Sequence, residues 1–266
     1  MLESLDQAYI IQRLGESEFA RNVIVAESLP STNAFARELA SKGALSGTLV
    51  LAEEQTAGRG RLGRRWLSPA RSNLLFSLLL RPGLRPEQGF VLTMTLALAA
   101  AEAIERSTGV SCLIKWPNDL FLHDRKVAGI LTELSARAGR MEYAVVGLGL
   151  NVHWHPEDQP QCPRRTTSIL KETGRPVSRN ELLIQIVSRF EVYYRQLISG
   201  TVDPLYHHWN RLSLLTGREV ELDAGDEETI RGKALRIDRD GALVIEDRQG
   251  EERRIRSGDV TVVRIE

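Results

Sequence analysis

Residues 48–81 read TLVLAEEQTAGRGRLGRRWLSPARSNLLFSLLLR. The apolar run 48–53 is dense enough for a buried strand, and 73–81 is continuously apolar, as a central strand is. Between them Gly58, Gly60 and Gly63 interleave with Arg59, Arg61, Arg64 and Arg65, and Trp66 follows. Glycine lets backbone come close to a ligand or take positive φ. Arginine carries a planar, permanently charged fork suited to carboxylate and phosphate. An anion cradle just after a strand end is therefore expected, ahead of a solvated hairpin turn or a basic patch for nucleic acid.

Working outward, 4–13 predicts a short helix with Ser4 as its N-cap and Gly15 as its stop, and 22–26 a strand. Ser31, Thr32 and Asn33 are good cap residues before a helix at 34–41, so a plain N-cap and a ligand role both remain open. Residues 88–107 predict a buried helix, 111–116 a strand ended by Pro117, and 121–122 with 127–134 two short strands joined by a turn at 123–126. A strand follows at 141–150, then a surface loop over 151–168. The Ser178-x-x-Glu181 pattern opens a helix whose apolar residues run from Leu182 to Leu197, and 203–212 predicts a last short helix. Strands and helices thus mix without strict βαβ alternation, which favours an α+β domain built on a mixed sheet. From Arg218 onward the runs are short and β-type, separated by Asp240-Gly241, Gln249-Gly250 and Ser257-Gly258-Asp259, so a small barrel-like domain is expected. The boundary near Thr216-Gly217 gives domains 1–215 and 216–266.

Among 266 residues, 35 Lys+Arg balance 35 Asp+Glu, so any basic function must be local, not a general attraction to nucleic acid or anionic lipid. Two cysteines, Cys112 and Cys162, make neither a disulfide framework nor a metal site. The N-terminus has no signal-peptide pattern, the run 90–104 is too short and polar to span a bilayer, and too few residues precede the first strand for a helix-turn-helix module. A soluble cytoplasmic protein that binds neither DNA nor membrane is the expectation. No GxSxG, HExxH, Walker A lysine or CxxC pair occurs.

Three further stretches bear on chemistry. In Lys115-Trp116-Pro117-Asn118-Asp119-Leu120, Asn118 and Asp119 either close an Asx-turn or face a cleft, where Asp119 is a weak candidate for Mg²⁺. Lys126, read as a turn residue, gains interest from Gly129, which opens an apolar strand where a bulky residue is expected. Gly147 and Gly149 leave one strand face without side chains, and Asn151 closes it. His153 and His155 lack a third metal ligand at suitable spacing and read as solvated.

Taken in order, GRGRLGRRW at 58–66, KWPNDL at 115–120, RKVAGIL at 125–131 and GLGLNV at 147–152, with Ser31-Thr32-Asn33 upstream, closely resemble the biotin protein ligases, from about residue 20 onward. The resemblance implies a mixed-sheet catalytic domain backed by helices, of the type shared with class II aminoacyl-tRNA synthetases, followed by an SH3-like barrel. It implies activation of biotin by ATP and Mg²⁺ to biotinyl-5′-AMP, then transfer to a lysine of a biotin carboxyl carrier protein, with acetyl-CoA carboxylase's carrier the default acceptor and a homodimer possible in the family. It implies the ligase-only class, since no N-terminal DNA-binding module is read. By the same resemblance, Ser31, Thr32, Asn33, Gln55, Gly58, Arg59, Gly60, Arg61, Lys126, Gly129, Gly147 and Gly149 serve biotin. Arg59, Arg61, Arg64, Trp66, Asn118, Lys126 and Asn151 serve the nucleotide, and Arg59, Arg61, Lys126 and Asp119 carry catalysis. The Gly/Arg loop is expected to order on ligand binding. Lipoate ligases or octanoyl transferases on the same scaffold are the nearest rivals, and a non-enzymatic nucleic-acid-binding regulator is a more distant one.

Overall fold

Helix α1 (Gln7–Leu14) starts at Asp6, whose carboxylate accepts the Tyr9 N–H at 3.0 Å, and ends at Gly15 with φ 59°. Ser4, the expected cap, does other work: its carbonyl accepts from Asn180 Nδ2 at 3.0 Å, which draws the entering chain onto a later helix. This computed structural model describes residues 3–156, 162–163, 165–223, 229–256 and 258–262.

The chain continues through β1 (Asn22–Leu29), α2 (Thr32–Ser41), β2 (Thr48–Gln55), β3 (Asn73–Leu80), α3 (Gly89–Thr108), β4 (Cys112–Lys115), β5 (Asp119–Leu122), β6 (Arg125–Arg137) and β7 (Arg140–Asn151). These strands form one seven-stranded sheet in the order β1-β2-β3-β7-β6-β5-β4. Only β1 and β2 run parallel, with α2 as their crossover; every other neighbour is antiparallel, so the sheet is mixed. Strand β3 lies near its centre and all eight of its residues are buried, which is why 73–81 shows no alternation. Both β6 and β7 are longer than their sequence reading, and the turn before β6 shrinks to His123-Asp124. Lys126 therefore sits in a strand, not in the turn where it was expected.

After β7 come α4 (Ile169–Thr173), α5 (Arg179–Ile198) and α6 (Asp203–Leu212), then β8 (Glu219–Asp223), β9 (Thr229–Ile237), β10 (Leu243–Asp247), β11 (Glu252–Ile255) and β12 (Asp259–Val262). The last five form a separate, wholly antiparallel sheet ordered β11-β10-β9-β8-β12. The two units are fastened together: Trp116 Nε1 donates to the Gly241 carbonyl at 2.9 Å, and Ile237 N–H donates to Asn210 Oδ1 at 2.8 Å. Gly241 has φ 83°, and a Cβ there would run into the Phe90 ring, so this turn admits only glycine.

The two faces of the large sheet are treated differently. Helices α1, α3 and α5 pack on one face, where Leu74, Phe76, Leu78 and Leu80 of β3 point into the main core. On the other face α2 sets Ala36 and Ala40 against Val50, Leu79 and Val145. It covers only that end. Gly147 lies under its first turn, and Gly149 and Asn151 continue the same face of β7 beyond the helix.

Behind the sheet, Arg179 and Glu53 form a fully buried ion pair at 2.7 Å. Arg179 also donates to the Asn73 carbonyl at 3.0 Å, and Glu53 accepts the Leu5 N–H at 2.6 Å, so the pair ties α5, β2, β3 and the N-terminal segment together. Ser178 caps α5 through the Glu181 N–H at 3.2 Å, but the Glu181 carboxylate turns to the Tyr9 hydroxyl, leaving the capping box half formed. Removing one partner of a buried pair strands the other charge at a cost of about 3–5 kcal/mol. Arg179→Met should lower unfolding stability by that order in urea titration, whereas the double variant Glu53→Gln/Arg179→Met should recover most of the loss.

Candidate active site

The uncovered half of the sheet face is the floor of a cleft of about 740 Å³. Register explains the floor. Gly129 of β6 pairs with Gly149 of β7, and Leu131 pairs with Gly147. A Cβ at Gly149 would lie 2.5 Å from the Trp66 ring, and one at Gly129 would lie 3.2 Å from it, so both glycines make room for the indole. Gly147 makes room for something else: a Cβ there would collide with the Asn33 amide.

The N-terminus of α2 forms one end of the cleft. Ser31 caps the helix, and Thr32 and Asn33 are buried in its first turn. Ser31 is thus the expected N-cap, and all three residues also line the cleft. Gln55 Oε1 accepts the Thr32 N–H at 2.7 Å and the Thr32 hydroxyl at 3.1 Å. Asn33 Oδ1 accepts from the Ser77 hydroxyl at 2.6 Å, while its Nδ2 donates to the Leu131 carbonyl and to Glu133, each at 3.0 Å.

The Gly/Arg segment folds over the cleft as a hairpin. Arg59 and Arg65 pair in antiparallel fashion, Gly60 N–H donates to the Arg64 carbonyl at 2.7 Å, and Trp66 N–H donates to the Gly58 carbonyl at 3.0 Å. Leu62 and Gly63 make its tip with φ 55° and 73°. Glycine is favoured at 63 by φ and required at 58 by space, since a Cβ on Gly58 would meet the Trp66 carbonyl at 2.6 Å. Side chains fasten the lid to the sheet: Arg59 to Glu133 at 3.1 Å and Arg61 to Asn118 Oδ1 at 3.2 Å.

The cationic centre lies at the strand exits. Lys126 Nζ is 2.6 Å from Asp119 Oδ1 and 5.8 Å from the Trp66 ring centroid. Asn118 bonds the Ile130 carbonyl through Nδ2 at 2.6 Å, which holds the 115–119 exit against β6. Asn151 is buried and donates to the Thr167 carbonyl at 3.0 Å, and the Lys126 backbone bonds Arg165 and Thr167 at 2.7 and 2.8 Å. The 151–168 stretch is thus no simple surface loop: Val152, Trp154, Thr167 and Ser168 are buried, and Arg165 and Thr166 edge the cleft.

The cleft lining includes Ser31, Thr32, Asn33, Gln55, Arg59, Gly60, Arg61, Arg64, Trp66, Asn118, Asp119, Lys126, Gly129, Gly147, Gly149 and Asn151, with Gly58 at the root of the lid. Sequence reasoning missed Ser77 and Glu133, which stand behind the lining and bond Asn33 and Arg59, and Val260, which reaches the cleft from the second sheet. Ser77 carried a legible signal as the one hydroxyl inside NLLFSLLLR; Glu133 and Val260 carried none. Among the described residues no group of three or more His, Cys, Asp or Glu is disposed to hold a metal. His153 is half-buried, and burial holds its imidazole below the usual pKa, in keeping with Nε2 accepting the Val177 N–H at 3.3 Å.

Comparison with known proteins agrees with this architecture. The profile described as "Biotin/lipoate A/B protein ligase family" matches residues 25–151, and "Biotin protein ligase C terminal domain" matches 215–263. The biotin–[acetyl-CoA-carboxylase] ligase of Paracoccus denitrificans is 36% identical over 224 residues, covering 81% of this chain and 90% of its own. The bifunctional ligase/repressor BirA of Bacillus subtilis is 35% identical over 231 residues, covering 86% of this chain and 71% of its own. The biotin protein ligase from Aquifex aeolicus in complex with biotin and ATP superposes with a TM-score of 0.76 at 31% identity, over 92% of this chain and 100% of that one. The chain belongs to the biotin protein ligase family.

The floor geometry has a direct consequence. Gly149→Ala should push the Trp66 indole off the sheet. Tryptophan emission should shift to the red relative to wild type, and the shift should vanish in the Gly149→Ala/Trp66→Phe background.

Proposed function

We infer that this chain is an ATP-dependent biotin protein ligase. One observation carries the reading: a partly apolar cleft, bounded at one end by Ser31, Thr32, Asn33 and Gln55 and with Trp66 lying on its glycine floor, ends at Lys126 beneath an arginine-bearing lid. In the first step an oxygen of the biotin carboxylate attacks the α-phosphorus of ATP. The new P–O bond gives biotinyl-5′-AMP as the bond to pyrophosphate breaks. In the second, the amine of a carrier-domain lysine attacks the acyl carbon, forming the amide as AMP leaves with the anhydride oxygen.

The end formed by Ser31, Thr32, Asn33, Gln55, Gly129, Gly147 and Gly149 suits biotin, whose polarity is concentrated in one ureido ring. Lys126, with the lid arginines Arg59, Arg61 and Arg64, offsets the charge that gathers where carboxylate meets phosphate. Gly58 and Gly60 bring lid backbone close to the same point, and Trp66, Asn118 and Asn151 serve the nucleotide. Mg²⁺ accompanies the nucleotide and supplies charge neutralisation. Asp119, which in this structure pairs with Lys126 at 2.6 Å, is the carboxylate of the cleft lining that would hold it, as suits an ion that takes its other oxygens from phosphates and water. Residues 1–215 form the catalytic unit and 216–266 the small β domain. A carrier domain of acetyl-CoA carboxylase is the acceptor, and the cytoplasm, where both substrates are found, is the compartment.

Labelled biotin should pass to a carrier domain only when ATP is supplied, and lipoate should not substitute; label transfer without ATP would overturn the reading. Lys126→Ala should slow biotin-dependent ATP–pyrophosphate exchange by about 100-fold or more while circular dichroism is unchanged. An undiminished rate would remove Lys126 from the site. Trypsin should cut at 61–65 more slowly once biotin is present, because ligand anions draw the like-charged lid closed.

A further inference from the structure

Glu133 is absent from the chemistry above, yet three side chains, two from α2 and one from the lid, converge on it. One carboxylate oxygen accepts from Arg37 of α2 at 2.8 Å and from Arg59 of the lid at 3.1 Å; the other accepts from Asn33 Nδ2 at 3.0 Å. Its side chain is 17% exposed, whereas those of Arg37 and Arg59 are 45% and 50% exposed. A shielded carboxylate therefore holds two cations that face water.

We propose that Glu133 is a positioning residue that latches the Gly/Arg lid and, with the same carboxylate, fixes the amide at the ring-binding end. The inference rests on reading this cleft as that of a biotin ligase. The two functions meet in Asn33. Its Oδ1 is set by Ser77, and its Nδ2 hydrogens are divided between the Leu131 carbonyl and Glu133, so its orientation has three determinants. Without Glu133 one N–H is freed to turn toward the pocket. The lid side differs in kind. Arg59 can leave without stranding a shielded charge, because Arg37 and Asn33 continue to satisfy the carboxylate. This makes the contact a releasable latch, unlike the Arg179–Glu53 pair. Lid closure and the shape of the ring-binding end are thereby linked through one side chain.

Two substitutions separate the two functions. Glu133→Gln keeps an acceptor for Asn33 but removes the charge that holds Arg59. Glu133→Ala removes both. In limited trypsin digestion without added ligand, Glu133→Gln should be cut within 61–65 about three- to fivefold faster than wild type, the range an exposed ion pair supports. Arg37→Ala, which leaves the lid contact intact, should stay within about twofold. In ATP–pyrophosphate exchange, Glu133→Ala should raise the KM for biotin about tenfold or more, as loss of a charged hydrogen bond implies, with kcat and the KM for ATP nearly unchanged. A wild-type cleavage rate in Glu133→Gln at an unaltered melting temperature would overturn the latch. So would parallel loss of biotin KM, ATP KM and melting temperature in Glu133→Ala, the mark of a merely structural residue. A wild-type protein with no biotin-dependent exchange would refute the ligase reading instead, and the digestion, which needs no substrate, would still decide the latch.

Discussion

One end of a face of the central sheet lies beyond the helix that covers the other end, and the site follows from that constraint. Helix α2 spans only the end marked by Leu79 and Val145. Beyond it the pairing of Gly129 with Gly149 leaves open backbone that the helix does not reach. The Trp66 indole lies on those two glycines, and the Asn33 amide lies over Gly147. Because Trp66 closes the Gly/Arg hairpin, the hairpin must arch over the same floor. Floor, end wall and lid are thus consequences of one register in β6 and β7.

Charge is handled in two ways in this electrically neutral chain. Arg179 and Glu53 are removed from water together, and losing either would strand the other, so their pair is structural. The cations of the cleft keep contact with solvent. Lys126 rests on Asp119, Arg59 on Glu133 and Arg61 on Asn118. Such contacts are individually weak and can be exchanged for those of an incoming carboxylate or phosphate. The same residue types therefore brace the fold on one side of the sheet and remain available for chemistry on the other.

The Lys115–Asp119 stretch joins these parts. It leaves the sheet at β4, buries Trp116 against the Gly241 turn of the second unit, and then brings Asn118 and Asp119 back to the cleft. Anchoring the indole in the joint gives the following polar pair a fixed approach to Lys126. Val260 brings the second sheet to the cleft edge as well, so that sheet takes part in the site wall.

Much of this was written locally. Continuous apolarity gave away the central strand, Gly15 and Gly241 marked a stop and a turn, and interleaved glycine and arginine marked the segment that arches over the cleft, because backbone freedom and charge are properties of the residues themselves. The resemblance carried by four motifs in order, with the Ser31-Thr32-Asn33 triplet upstream, named about half of the cleft lining. Tertiary structure decided the rest. Lys126 entered a strand because β5 and β6 pair further than local propensity indicates, and Asp6 displaced Ser4 as a cap because Asn180 claims the Ser4 carbonyl. Glu133, Ser77 and Val260 became site residues only through partners 44 or more positions away or on another sheet, and no local pattern encodes such a meeting. The sequence by itself determined which residues could do the chemistry; strand register and interdomain contact determined which of them stand together.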